Sequence, residues 1–137
     1  MSLVLDSSIT LAWFFEDERT EHADAVLRHV AKSGAVVPSL WRLEIANALQ
    51  AAVRRKRIGA QFRDASLADL RALPIATDTE TDRLAWGTIL NVAEQSRLTL
   101  YDAAYLELAQ RLRHPLASLD KELRAACRGA GVMLRPN

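Results

Sequence analysis

Thiol chemistry is nearly missing from this chain. Its single cysteine, Cys127, excludes an internal disulfide and fits a reducing compartment. Long apolar runs are missing as well. No segment approaches the ~20 residues of a bilayer span, and the N-terminus lacks the basic stretch and apolar core of a signal peptide. Net charge is close to zero, at +1 from 18 basic and 17 acidic residues, so it argues for no partner by itself. Any nucleic-acid contact must therefore come from local patches. There is no internal repeat, low-complexity tract or linker. These absences leave the expectation of a soluble cytoplasmic protein without membrane association. At 137 residues, half of them hydrophobic, the chain fits one domain over residues 1–137 with a sizeable core.

The hydrophobic pattern alternates short aliphatic runs with amphipathic stretches. Leu3-Val4-Leu5 ends abruptly at Asp6 and reads as a strand buried on both faces, followed by a helix through Thr10–Phe15 capped by Ser7 or Ser8. Thr20–Lys32 is helical and stops at Gly34; Ala35-Val36-Val37-Pro38 is a strand. Ser39 caps a long helix from Leu40 to about Arg57, and Ala60–Leu73 forms another. A weak strand at Leu73–Ala76 precedes a helix over Glu80–Gln95, and Thr99 caps a helix over Leu100–Arg113. Leu116–Leu119 and Val132–Leu134 are the last strands. Strands separated by one or two helices predict an α/β fold with a mostly parallel sheet of about five strands, flanked by helices in three layers.

Four acids stand out of place against this pattern. Asp6 and Asp120 end strands, Glu44 interrupts the apolar stripe Trp41, Ile45, Ala48, Leu49 and Ala52, and Asp102 is the only charge between Leu98 and Leu106. Singly, each has an ordinary structural explanation. Asp6 and Asp120 suit helix N-caps, Thr99 and Asp102 have capping-box spacing, and Glu44 can pair with Arg42 or Arg55. Together they share the carboxyl edge of a parallel sheet, where open α/β folds place their ligand crevice. Two carboxylates ~4 Å apart repel by about 4 kcal/mol at an effective dielectric of 20. A divalent cation offsets that cost, and all-oxygen ligands suit Mg²⁺ or Mn²⁺.

The segments L-V-L-D-S-S, L-W-R-L-E-I-A-N-A-L, L-T-L-Y-D-A-A-Y-L-E-L-A and L-A-S-L-D-K-E-L resemble, in order, the motifs of PIN domains. Within that superfamily the likeness is to VapC-type toxins of toxin–antitoxin pairs. The resemblance implies that Asp6, Glu44, Asp102 and Asp120 are the catalytic and metal-binding acids of an Mg²⁺- or Mn²⁺-dependent endoribonuclease. It implies hydrolysis of RNA to a 5′-phosphate and a 3′-hydroxyl, and inhibition of translation. Ser7 and Ser118 fall where hydroxyl residues support the first and last acids, Thr99 is a further supporting residue, and Asn47 is expected to hold Glu44. A VapB-type antitoxin and a homodimer are the implied partners, the antitoxin docking at or near Trp13-Phe14-Phe15, where one aromatic at least should be exposed or covered.

Other residues carry weaker signals. Arg54-Arg55-Lys56-Arg57 serves equally as the cationic last turn of a helix or as an RNA phosphate contact, and Arg42 is near the expected substrate path. His22 and His29 are roughly 10 Å apart along one helix, too far to share a metal. His114 suits a helix C-terminus, and Cys127 a partly buried thiol. Rival readings fit these residues less well. A receiver-like phosphoacceptor module needs an acidic pair after the first strand, where Ser7-Ser8 stand, and a haloacid-dehalogenase-like phosphatase needs an acid at Ser8. A non-toxin RNA-processing or catalytically silent PIN domain keeps the fold.

Overall fold

A computed structural model describes residues 1–137. Five strands, β1 (Leu3–Leu5), β2 (Ala35–Val37), β3 (Ile75–Thr77), β4 (Leu116–Ala117) and β5 (Leu134–Arg135), form one sheet in the order β3-β2-β1-β4-β5. Every pairing is parallel, with Val4 opposite both Val36 and Leu116. The sheet is therefore wholly parallel rather than mostly so. Such a sheet must be covered on both faces, which explains why β1 carries three buried aliphatic residues in a row.

Eight helices supply the cover: α1 (Ser7–Ala12), α2 (Glu21–Ser33), α3 (Trp41–Arg54), α4 (Ala60–Ala72), α5 (Thr81–Leu84), α6 (Thr88–Ser96), α7 (Leu100–Leu112) and α8 (Lys121–Gly129). The main core of 26 buried residues is built on β1, with Ile9, Trp41, Ile45, Leu49, Tyr105, Leu106 and Leu108 packed around the sheet. Ile89, Ala93, Ala103 and Ala104 form a smaller core that fixes α6 against α7. Small residues on α7 permit that close approach. No helix is long and apolar enough to cross a membrane.

Three expectations about elements change. The helix over Glu80–Gln95 is two helices, because the chain turns at Trp86-Gly87, where Gly87 (φ −122°, ψ −99°) leaves helical geometry. Ser39 does not cap α3; Leu40 holds that position, and the Ser39 N–H takes the Thr81 hydroxyl as acceptor. Trp13-Phe14-Phe15 is not part of one helix, since α1 ends at Ala12. The turn that follows lets Trp13 and Phe15 bury themselves, the indole N–H donating to the Ala23 carbonyl at 2.8 Å, and leaves Phe14 half-buried.

The strand order places the site. From β1 the chain builds outward to β2 and β3 on one side, then crosses to β4 and β5 on the other. The switch point is between β1 and β4, and the crevice outside their carboxyl ends is where a doubly wound fold binds ligands. A receiver-type fold has the order 2-1-3-4-5, so the phosphoacceptor alternative does not fit this sheet.

Candidate active site

Asp6 leaves β1 at the switch point and is only 4% exposed. It occupies the N-cap position of α1 but makes no side-chain cap bond. Its Oδ2 instead accepts from the hydroxyls of Ser8 and Ser118, each at 2.7 Å. Both hydroxyls are aimed from behind. The Leu119 N–H donates to Ser8 and the Asp120 N–H to Ser118, each at 3.0 Å. A hydroxyl whose oxygen already accepts a backbone bond directs its one proton at the carboxylate. Burial pushes the Asp6 pKa above the usual carboxylate value, and the two hydroxyls draw it part of the way back.

Glu44 comes from the first turn of α3, directly after β2. The buried Tyr105 hydroxyl donates to its Oε1, and the Ser7 side chain is a further hydrogen-bonding neighbour. Burial raises the Glu44 pKa first, and the charges of Asp6 and Asp102 raise it further. Asp102 sits in the first turn of α7, whose N-cap Thr99 accepts from the Asp102 N–H at 3.1 Å. The Asp102 carboxyl is pushed up to about 6 by burial, then by the charges of Asp120, Asp6 and Glu122. Asp120 follows β4 and caps α8, accepting from the Leu123 N–H at 2.9 Å.

All four acids thus reach one edge of the sheet from four different elements. Asp6 acts electrostatically on Glu44 and Asp102, Asp120 on Asp6 and Asp102, and Asp102 on Glu44. The charged groups that shift Asp6, Glu44 and Asp102 are all acids. The side chains as they stand do not close into a ready ligand set, for no three acids converge on one point. Three of the four are turned to protein donors, and a shared cation would have to draw them together. The donor set is all oxygen, without histidine or cysteine, which fits Mg²⁺ or Mn²⁺ better than zinc.

Several supporting residues take other places than expected. Ser8, not Ser7, holds Asp6, while Ser7 faces Glu44 and Tyr105. Ser118 does support Asp6, and by accepting from the Asp120 N–H its hydroxyl also braces Asp120. Asn47 is exposed and makes no bond to Glu44; Tyr105 does that work. Tyr105 lies one turn after Asp102, a spacing visible in the sequence but indistinguishable there from an ordinary core tyrosine. Glu122, two residues after Asp120, is a further acid bearing on Asp102.

The basic run also divides. Arg54, Arg55 and Lys56 are exposed at the far end of α3, roughly 15 Å along the helix from Glu44. Arg57 is engaged elsewhere, bonded to Asp17 and Glu18 and stacked 4.0 Å over the Phe15 ring. Arg42 is exposed two residues before Glu44 and lies over the Trp41 ring at 5.7 Å. Neither Arg42 nor Arg55 pairs with Glu44, whose partner is Tyr105. Cys127 is fully rather than partly buried, and burial pushes its thiol up to about 11, which removes it from nucleophilic chemistry.

The PIN domain family model matches residues 3–129. The chain belongs to the PIN-domain family. This PIN domain is 28% identical over 127 residues to Ribonuclease VapC3 of Pyrobaculum aerophilum, covering 90% of this chain and 92% of that protein. Its fold is shared with PAE2754 of Pyrobaculum aerophilum (TM-score 0.68, 23% identity, 99% of this chain and 85% of that one). It is shared also with VapBC2 of Rickettsia felis bound to a promoter DNA fragment (TM-score 0.66, 16% identity, 98% and 97%). FitAcB of Neisseria gonorrhoeae has it too (TM-score 0.62, 14% identity, 98% and 96%). One groove of this PIN domain lies away from the acids. It is a depression of about 1120 Å³ lined by Trp13, Phe14, Phe15, Leu27, Ile58 and Phe62 among others, with Arg57 and Asp17 on its rim.

Proposed function

We propose that this PIN domain is a VapC-like toxin, a cytoplasmic endoribonuclease that depends on Mg²⁺ or Mn²⁺ and inhibits translation by cutting RNA. The observation that carries this is the gathering of Asp6, Glu44, Asp102 and Asp120 at the switch point, where the charges of Asp6, Asp102 and Asp120 favour positive charge at their neighbours. A divalent cation held by these acids would activate water and offset charge on the scissile phosphate. Asp6, locked by Ser8 and Ser118, is the most rigidly placed oxygen donor of the four. Glu44 and Asp102 approach from α3 and α7, and Asp120 is the most exposed of the set. Arg42 is the nearest exposed arginine in sequence to any of them and supplies a phosphate contact at the site.

The partner is a VapB-type antitoxin. The groove is a fitting seat for an apolar segment of it, because half-buried Phe14 and Leu27 and exposed Phe62 offer it apolar surface. A homodimer is proposed as well. Trp86, 92% exposed at the corner between α5 and α6, is the side chain that such an interface would cover. A silent RNA-binding role is not favoured, since all four acids are intact.

The test is expression of the wild type against Asp102→Ala, with the new RNA ends mapped. Growth arrest with discrete cleavage products for the wild type, and neither for the variant, is the expected result. Equal cleavage by both would overturn the proposal.

A further inference from the structure

One buried polar group that the proposed chemistry leaves unused is the Tyr105 hydroxyl. Tyr105 is wholly buried, yet its O–H is spent on the Glu44 carboxylate rather than on a backbone carbonyl. It stands on α7 one turn beyond Asp102, so a single helix delivers one acid and grips another that belongs to α3. Ser7, opening α1 directly after Asp6, borders the same pair. Glu44 of α3 and Asp102 of α7 are thereby registered against each other through one buried phenol.

We infer that Tyr105 is a positioning residue of the acid site, fixing one Glu44 oxygen and leaving the carboxylate's other lone pairs free to take a divalent cation. The inference rests on the acids being metal ligands. Its physical basis is general. A phenol donates one bond and brings no charge, so it orients a carboxylate without neutralising it as an arginine would. Groups that hydrogen-bond a ligating carboxylate set its orientation, and their loss typically costs about 10- to 100-fold in metal affinity.

The experiment uses Tyr105→Phe, which removes the hydroxyl and keeps the ring in the core. Mn²⁺ binding to the purified full chain is measured by calorimetry, beside the Mn²⁺ dependence of RNA cleavage and the thermal midpoint. The expected result is a loss of about tenfold or more in Mn²⁺ affinity, an equal rise in the half-saturating concentration, and cleavage recovered at high Mn²⁺. A lowered midpoint with unchanged Mn²⁺ affinity marks a merely structural tyrosine and overturns the inference.

A second measurement does not depend on the variant folding. The chain has two tyrosines, Tyr101 exposed and Tyr105 buried, so ¹³C-labelling the ring Cζ resolves them. Saturating wild type with Mg²⁺ shifts the Tyr105 resonance if its Glu44 partner takes up a cation, and a stationary resonance overturns the inference. Absence of any Mn²⁺ binding by the wild type would instead overturn the metal site itself, and the role of Tyr105 with it.

Discussion

Asp6 and Asp120 occupy equivalent places, each a carboxylate between a parallel strand and the helix that follows. Asp120 spends an oxygen on its helix, whereas Asp6 spends none and draws two serine hydroxyls instead. A buried carboxylate carries a desolvation cost that its hydrogen-bond donors offset only in part. Ser118→Ala should make this worse by removing one donor from Asp6 and the acceptor of the Asp120 N–H. The expected loss is about 1–3 kcal/mol, the cost of leaving buried polar groups unsatisfied, read from urea unfolding. Unchanged stability would mean that the Asp6 carboxylate is not locked as described. The sequence marks Asp6 and Asp120 alike, because strand–acid–helix looks the same for a cap and for a ligand. Only the partners of the carboxylate tell them apart.

At the scale of elements, α7 ties the sheet edge together at both ends. Its first turn carries Asp102, its middle carries Tyr105, and its last turn carries Arg111. Arg111 bonds Asp78, just beyond β3, through two nitrogens at 3.1 and 2.8 Å, and also grips the buried Glu107 one turn earlier. The Arg111 guanidinium holds the Asp78 carboxyl below the usual carboxylate range. Arg111→Met leaves Glu107 buried without its partner. The expected cost is about 2–3 kcal/mol, below the 3–5 of a fully buried pair because Arg111 is partly exposed. Chemical denaturation checks it, and a cost near zero would contradict the clamp. The basic end of α3 belongs to this scale as well. Replacing Arg54 and Arg55 by Glu should weaken RNA binding, most at low salt, and flatten its dependence on salt. Arg57→Ala should leave that dependence alone, since Arg57 is committed to Asp17, Glu18 and Phe15. Binding isotherms at several salt concentrations distinguish the two. The three arginines and the lysine look identical as a sequence run; their division depends on which of them reaches Asp17 and Glu18 across the fold.

For the molecule as a whole, the parallel sheet follows from a pattern readable in the chain. Five aliphatic runs with helices between them imply a parallel sheet, and three of the four acids adjoin a strand end or a helix start. What local pattern cannot supply is the switch point between β1 and β4, which brings Ser118 and Asp6 together across 112 residues. Nor can it supply the turn at Trp86-Gly87, because Glu80–Gln95 keeps helical periodicity through it. The gathered acids have a consequence for pH. Asp6, Glu44 and Asp102 titrate higher in the folded state than in the unfolded chain, so the native protein binds more protons there. Stability without metal should therefore fall as pH rises from ~4 to about 6, the Asp102 value. Asp78 acts with the opposite sign, its contribution being lost only as pH falls below the ordinary carboxylate value. Thermal midpoints taken in EDTA across that window should decline, and Asp102→Asn should flatten the decline. A midpoint that rises steadily through the window would contradict the shared acidic site.

The most direct measurement is cleavage of an end-labelled RNA by the purified chain in Mn²⁺ and in EDTA, beside Asp6→Asn with its fold verified by circular dichroism. Cleavage is expected only for the wild type and only with Mn²⁺. Cleavage by a folded Asp6→Asn protein, or by the wild type in EDTA, would contradict an acid site built around Asp6.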